Sequence, residues 1–263
     1  MIVAAPSGLL DLPGLGVPGA RARAERCVQS ILEQPDPIGT EVVVVDDAGP
    51  AGVADHLETV FASWIVRGRL RLVRSPIRLL EAGPAWNQGV AAASGATLAF
   101  VDAHDWWRPG RLAALEPWLK RHDLVVASDT GSAEISSDWI RSFLGGNVAV
   151  PSSGVVRRAL FDEVGGFSER RTGQPEYEFW IRCLLKLTQT DRRDRFGLMR
   201  NDHVLREAKS ELPVPVVGEV ARRVDLLKEA VTLLNVTPRL PARYWMTVAK
   251  RVRDVGMGLF RKK

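Results

Sequence analysis

Apolar residues in the first half of the chain fall into short runs, separated by stretches in which they recur every three or four positions. The runs are Ile2 to Ala5, Glu41 to Val45, Leu70 to Arg74, Thr97 to Val101 and Leu124 to Ala127. Short continuous apolar runs rich in β-branched residues predict strands buried on both faces, as in a parallel sheet. The stretches between them, near Ala22 to Glu33, Val53 to Trp64, Trp86 to Ala93 and Arg111 to Lys120, carry helical spacing. Alternation of the two predicts βαβ units: an α/β chain with a mainly parallel, Rossmann-like sheet flanked by helices. In such sheets ligands bind beyond the carboxyl ends of the strands.

After residue 127 the rhythm changes. An irregular stretch rich in Ser and Gly, Ser128 to Gly146, leads to a strand around Val148 to Val156 and short helices around Ala159 to Val164 and Glu176 to Leu185. Lys209 to Val217, with Pro213 and Pro215, reads as a linker, and Glu219 to Leu234 as a helix. The expected organisation is one domain over residues 1–237 and a basic amphipathic helical tail over 238–263. There is no internal repeat.

Composition narrows the function classes. A chain of 263 residues, 46% hydrophobic, can bury one large core. The net charge of +5 comes from the tail: from Arg239 onward eight basic residues face one acid, Asp254, and the remaining 28 basic and 30 acidic residues leave the body at −2. That distribution argues against a nucleic-acid partner for the domain. Cys27 and Cys183 sit in apolar-periodic segments with no CxxC or Cys/His partner, so buried free thiols are expected. No run of 18 apolar residues and no signal-like start are present, which predicts a cytoplasmic protein.

Two strands end in acids. Glu41 to Val45 delivers Asp46 and Asp47, which suit hydrogen bonding to a ribose or a base N–H, or equally capping of the next helix. Phe100-Val101-Asp102-Ala103-His104-Asp105 brings an acid, an imidazole and a second acid together, a donor set for a divalent cation on a diphosphate, with a cap on the helix from Arg111 as the alternative. Gly14-Leu15-Gly16-Val17-Pro18-Gly19 matches the GxGxxG pattern of dinucleotide sites, but the first strand stops near Pro6 and Asp46 lies 27 residues past Gly19. A nicotinamide-dependent enzyme is therefore a minor alternative, and the segment reads as a glycine-rich loop.

Five motifs in order resemble family-2 glycosyltransferases of the GT-A fold. They are Val45-Asp46-Asp47, Ala85-Trp86-Asn87-Gln88-Gly89, Phe100 to Asp105, Val164-Gly165-Gly166-Phe167 and Pro175-Glu176-Tyr177-Glu178-Phe179-Trp180. The resemblance runs from Glu25 to about Arg182. It implies inverting transfer from a nucleoside-diphosphate sugar to a hydroxyl acceptor, a glycan or a lipid-linked molecule, in surface polysaccharide or glycolipid synthesis. On that resemblance, Pro6, Asp46, Asn87 and Asp102 bind the donor. Asp102, His104 and Asp105 hold a divalent metal, Mg or Mn. Glu176 takes the proton from the acceptor hydroxyl.

The chain departs from the family pattern at Trp86 (usually Arg), His104 (usually Asp) and Pro175 (usually Glu), and Pro6 opens Pro6-Ser7-Gly8-Leu9 rather than Pro-Thr-Tyr-Asn. These departures motivate the competing reading, a non-catalytic nucleotide-sugar or glycan-binding member of the same fold. Trp106, Trp107, Tyr177 and Trp180 are expected either as an aromatic wall for the acceptor or as core. In the tail, a helix over Tyr244 to Phe260 would group Trp245, Val248, Ala249, Val252, Val255, Leu259 and Phe260 on one side. That pattern suits an anionic membrane surface, giving peripheral attachment on its cytoplasmic side, or equally docking on the chain's own domain or a dimer partner.

Overall fold

The computed structural model describes residues 2–6, 19–35, 39–46, 52–77, 79, 82–129, 138–144, 149–150, 152–169, 174–206 and 240–260. The linker and helix expected over 209–234, Asp47, and all of the glycine-rich loop except Gly19 lie outside these residues.

The expected strands form: β1 (Ile2–Pro6), β2 (Glu41–Asp46), β3 (Leu70–Arg74), β4 (Thr97–Phe100) and β6 (Leu124–Ser128). Together with β7 (Val155–Arg157) and β8 (Phe196–Arg200) they make a seven-stranded sheet in the order β3-β2-β1-β4-β7-β6-β8. Only β7 runs against the rest: β1, β2, β3 and β4 pair in parallel, β7 is antiparallel to both β4 and β6, and β6 is parallel to β8. β5 (Asp105–Trp107) and β9 (Val204–Arg206) form a separate antiparallel ribbon.

Strand periodicity divides the core between the two faces. Val43, Leu98, Phe100, Leu124 and Val126 belong to one buried cluster, while Val42, Val44, Ala99, Val101, Val125 and Ala127 belong to the other. The second cluster is covered by α1 (Ala20–Leu32), α2 (Val53–Val60) and α5 (Arg111–Leu119). The first is covered by α4 (Ala82–Ala92), α6 (Trp139–Leu144), α7 (Arg158–Val164) and α8 (Pro175–Gln189).

Three expectations need correction. The helix expected over Val53 to Trp64 breaks at Phe61 and resumes as α3 (Ala62–Val66). The stretch read as irregular contains α6, because Ile140, Phe143 and Leu144 share a face at helical spacing and are buried against the sheet. Of the strand expected over Val148 to Val156, the described residues form one only at its end, since Ser152 takes φ 62 and turns the chain before β7; Val148 and Pro151 lie outside the described residues.

The C-terminal helix, α9 (Trp245–Phe260), packs on the body through its first half. Leu240, Tyr244 and Val248 are buried in the first core cluster, Val252 packs against it, and the Tyr244 hydroxyl donates to Asp138 Oδ1 at 3.0 Å. Docking on the chain's own domain, one of the two readings, is thus realised by Val248 and Val252. Trp245, expected in the same stripe, is instead 54% exposed, beside Met246 at 78%. None of the described helices is long and apolar enough to cross a membrane.

Gly154 precedes β7 where the ring of Trp180 crosses the backbone; a Cβ there would stand 2.1 Å from Trp180 Cζ2. Gly165 ends α7 at φ 80 but has nothing within 4 Å of a would-be Cβ. Gly154→Ala is therefore expected to destabilise the chain by about 3 kcal/mol through overpacking. Gly165→Ala should cost only about 1 kcal/mol of left-handed backbone strain. Urea denaturation of the two variants tests the order; equal losses would contradict it.

Candidate active site

Parallel pairing puts the carboxyl ends of β1, β2 and β4 at one edge, with Pro6 opposite Val45. Asp46 ends β2, and Asp102 follows β4 by two residues. Because β1 lies between β2 and β4, the two acids stand about 10 Å apart across the sheet direction. The Asp46 carboxylate accepts from the Ala54 N–H at 3.1 Å, capping the start of α2. Capping, the alternative weighed for this acid, is thus formed, and Asp46 remains half-buried at the edge.

The loop after β4 is held from both sides. From below, the Ser152 hydroxyl donates to Asp105 Oδ2 at 2.5 Å and accepts from the Asp102 N–H at 2.9 Å. From above, α1 lies along the loop. Cys27 Sγ reaches the Asp102 carbonyl at 3.6 Å, and Ser30 Oγ accepts from the Trp107 N–H at 3.0 Å. Gln34 donates to the Arg108 carbonyl at 2.9 Å and accepts from the Arg111 N–H at 3.0 Å. Burial raises the Cys27 thiol's pKa, helped by the Asp102 and Asp105 charges, so this sulfur stays protonated.

Within that loop, Asp102 and His104 face each other: Asp102 Oδ1 takes hydrogen bonds from the His104 backbone N–H at 3.1 Å and from ring Nδ1. The hydrogen bond to Asp102 holds the His104 pKa above its ordinary value; partial burial and the Arg23 guanidinium oppose this, and the Asp102 and Asp105 charges add to it. Asp105, expected to join them on a metal, is 5% exposed and turned to Ser152 instead. No group of three or more His, Cys, Asp or Glu side chains is gathered to hold a metal among the described residues. One carboxylate and one imidazole fit an ion that tolerates a nitrogen donor, as manganese does, and takes its other ligands from substrate phosphates and water.

Glu176 sits in the first turn of α8. That end of α8 lies at the same edge as the two aspartates: a Cβ on Gly83, at the start of α4, would be 3.3 Å from Pro175 Cβ, and Phe100 at the end of β4 meets Phe179 and Trp180, each with ring centroids 6.2 Å away. Glu176 and Glu178 stand about 200° apart around the helix. Glu178 turns inward, 1% exposed, to pair with Arg182 at 2.7 Å, whereas Glu176 is half-buried. Arg182 also donates to the carbonyls of Val164 and Gly166, both at 2.7 Å, tying α8 to the Gly165-Gly166 turn.

The remaining expected site residues serve packing in this structure. Asn87 clamps the backbone of Phe167, donating to its carbonyl and accepting from its N–H, both at 2.9 Å. Trp107, Tyr177 and Trp180 are 2%, 0% and 3% exposed, and the Tyr177 hydroxyl donates to the Phe143 carbonyl. The acceptor wall expected of these three is therefore not offered to solvent; their aromatic area fills the core, the other reading weighed. Trp106 alone of the four keeps partial exposure, with the Arg26 guanidinium 3.4 Å above its ring.

Two contributors escaped the sequence reading. Ser152 carried no signal beyond its place in Pro151-Ser152-Ser153-Gly154, because its role depends on a φ of 62. Arg23, whose charge acts on His104, lies on a helix whose orientation to the loop is set only by tertiary packing. Ser152→Ala would remove the hydroxyl's bonds to the Asp105 carboxylate and the Asp102 N–H, and is expected to cost about 2 kcal/mol in chemical denaturation; an unchanged midpoint would show that neither group depends on the hydroxyl.

The model of the family described as glycosyl transferase family 2 matches residues 20–162, more than half of the chain. Among solved structures, S. aureus TarS 1–349 superposes with a TM-score of 0.64 at 16% identity, covering 99% of this chain and 72% of that one. The mannosyltransferase PcManGT from Pyrobaculum calidifontis, in complex with GDP-Man and Mn2+, gives 0.69 at 17% identity, covering 98% of this chain and 71% of that one. TarS 1–349 in complex with UDP-GlcNAc gives 0.58 at 14% identity, with 98% and 81% covered. No curated protein is significantly similar in sequence. The fold is GT-A-like, as the resemblance implied.

Proposed function

The chain belongs to glycosyl transferase family 2, and on that premise we propose that it is an inverting transferase moving a sugar from a nucleoside-diphosphate donor to a hydroxyl acceptor in surface polysaccharide or glycolipid synthesis. The observation that supports this reading is the common edge of Asp46, Asp102 and the amino end of α8. Asp46 accepts from the nucleobase, with Pro6 beside it, and Asp102 meets the ribose and diphosphate. Glu176 removes the proton from the acceptor hydroxyl as its oxygen attacks the anomeric carbon and the bond to the diphosphate breaks. Asp102 and His104 would hold a divalent cation, Mg or Mn, which neutralises charge on the leaving diphosphate when bound. The bound nucleotide sugars of TarS and PcManGT, and the Mn2+ of the latter, support the donor class and the cation.

Glu176→Gln keeps the shape and removes the basicity. Turnover of the preferred nucleotide sugar is expected to fall about 100-fold or more, with nucleoside-diphosphate affinity unchanged. Wild-type binding without turnover of any donor would favour the non-catalytic member of the fold.

The tail supports peripheral attachment by a different surface from the expected stripe. With Val248 and Val252 turned to the core, Arg243, Met246, Lys250 and Arg253 are exposed together with half of Trp245. A cationic face with aromatic and thioether side chains at its start suits an anionic lipid surface, each Lys or Arg contributing about 1 kcal/mol. The double reversal Lys250→Glu/Arg253→Glu leaves the buried residues in place. It should abolish co-sedimentation with vesicles containing phosphatidylglycerol, and undiminished sedimentation would sink the proposal.

A further inference from the structure

Three acids at one edge are a poor host for a diphosphate unless positive charge is built in beside them. Resting on the donor-site reading above, we propose that Arg23, on the first turns of α1, is a diphosphate-binding residue that supplies this charge from the protein itself.

The register of α1 carries the assignment. One face of α1 and the residue just past it meet the segment after β4: Cys27 touches the Asp102 carbonyl, Ser30 holds Trp107, and Gln34, two residues beyond the helix, holds Arg108. Arg23 lies one turn further on, about 5–6 Å past Cys27 along the axis, which carries it beyond Asp102 to the side where Asp102 and His104 face each other. Its Nη1 stands 4.0 Å from where a Cβ on Gly19 would lie, at the amino end of α1. Arg26, on the neighbouring line of the helix, stacks on Trp106 and fixes the same wall of the edge. α1 also begins at this edge, behind Gly19 at φ 94, so its unpaired N–H groups point the same way.

A guanidinium suits the task. It stays charged at every working pH and can give two parallel hydrogen bonds to phosphate oxygens. Where the motif has an imidazole instead of a second carboxylate, the local field is less negative, and a fixed cation on the opposite wall adds to the attraction for the leaving group.

The test measures binding by the full chain of UDP, GDP, ADP, CDP and dTDP, each beside its parent nucleoside, by calorimetry in EDTA so that only protein charge acts. Arg23→Gln should weaken the preferred diphosphate about tenfold and leave its nucleoside unaffected, while Arg23→Lys should keep most of the affinity. Diphosphate binding by Arg23→Gln equal to the wild type would overturn the assignment. So would equal losses for diphosphate and nucleoside, or for the Gln and Lys variants, which would mark Arg23 as a prop for the loop. Wild-type binding that appears only when Mg2+ replaces the EDTA would overturn it too, and if none of the five diphosphates binds in either condition the donor-site reading itself fails and this assignment falls with it.

Discussion

The hydroxyl of Ser152 is the point on which the site geometry turns. It joins the backbone of Asp102 to the carboxylate of Asp105, and so fixes the loop after β4 to the turn before β7. A buried carboxylate is tolerable only with such a donor, and the donor is available only because Ser152 accepts a left-handed conformation that non-glycine residues rarely adopt. Backbone strain in one residue is thus exchanged for the placement of two acids. α1 completes the clamp from the other side through Cys27 and Ser30, with Gln34 just past its end, leaving the Asp102 and His104 side chains half-buried at the edge.

The acceptor side is tied to the same strand by packing rather than hydrogen bonds. Phe167 sits 4.7 Å from Phe100, 4.9 Å from Trp86 and 4.4 Å from Phe179, so β4, α4 and α8 share one aromatic cluster. Offset and edge-on rings at these separations gain beyond their buried area. Asn87 holds Phe167 by its backbone, and Arg182 holds the turn that precedes it. The position of Glu176 follows from this cluster, because α8 has no freedom to slide while Trp180 lies against Gly154 and Pro175 against Gly83.

The sequence reading succeeded where a single element decides the outcome. The β-branched run Val42 to Val45 could bury itself only as an inner strand, and it does so with alternate residues in opposite core clusters. It failed where tertiary partners decide. β5, β8 and β9 are short strands without a pattern of their own, formed because Asp105 to Trp107 finds Val204 to Arg206, and because Phe196 to Arg200 finds the open side of β6. The strand expected over Val148 to Val156 yields to the turn that Ser152 makes. Candidate acids were legible because strand ends point to ligand edges, but Asn87, Trp107, Tyr177 and Trp180 could not be divided between site and core without knowing what lies opposite them.

The departures from the family pattern read differently once their surroundings are known. Trp86 is 1% exposed and fills the aromatic cluster; its ring serves the same packing that positions α8, although its Nε1 finds no partner among the described residues. Pro175 opens α8, a position where the missing N–H costs nothing because no carbonyl awaits it, and where the ring fixes φ for the turn that carries Glu176. His104 remains bonded to the aspartate that precedes it. Each of these side chains is absorbed by a contact that keeps the edge in place.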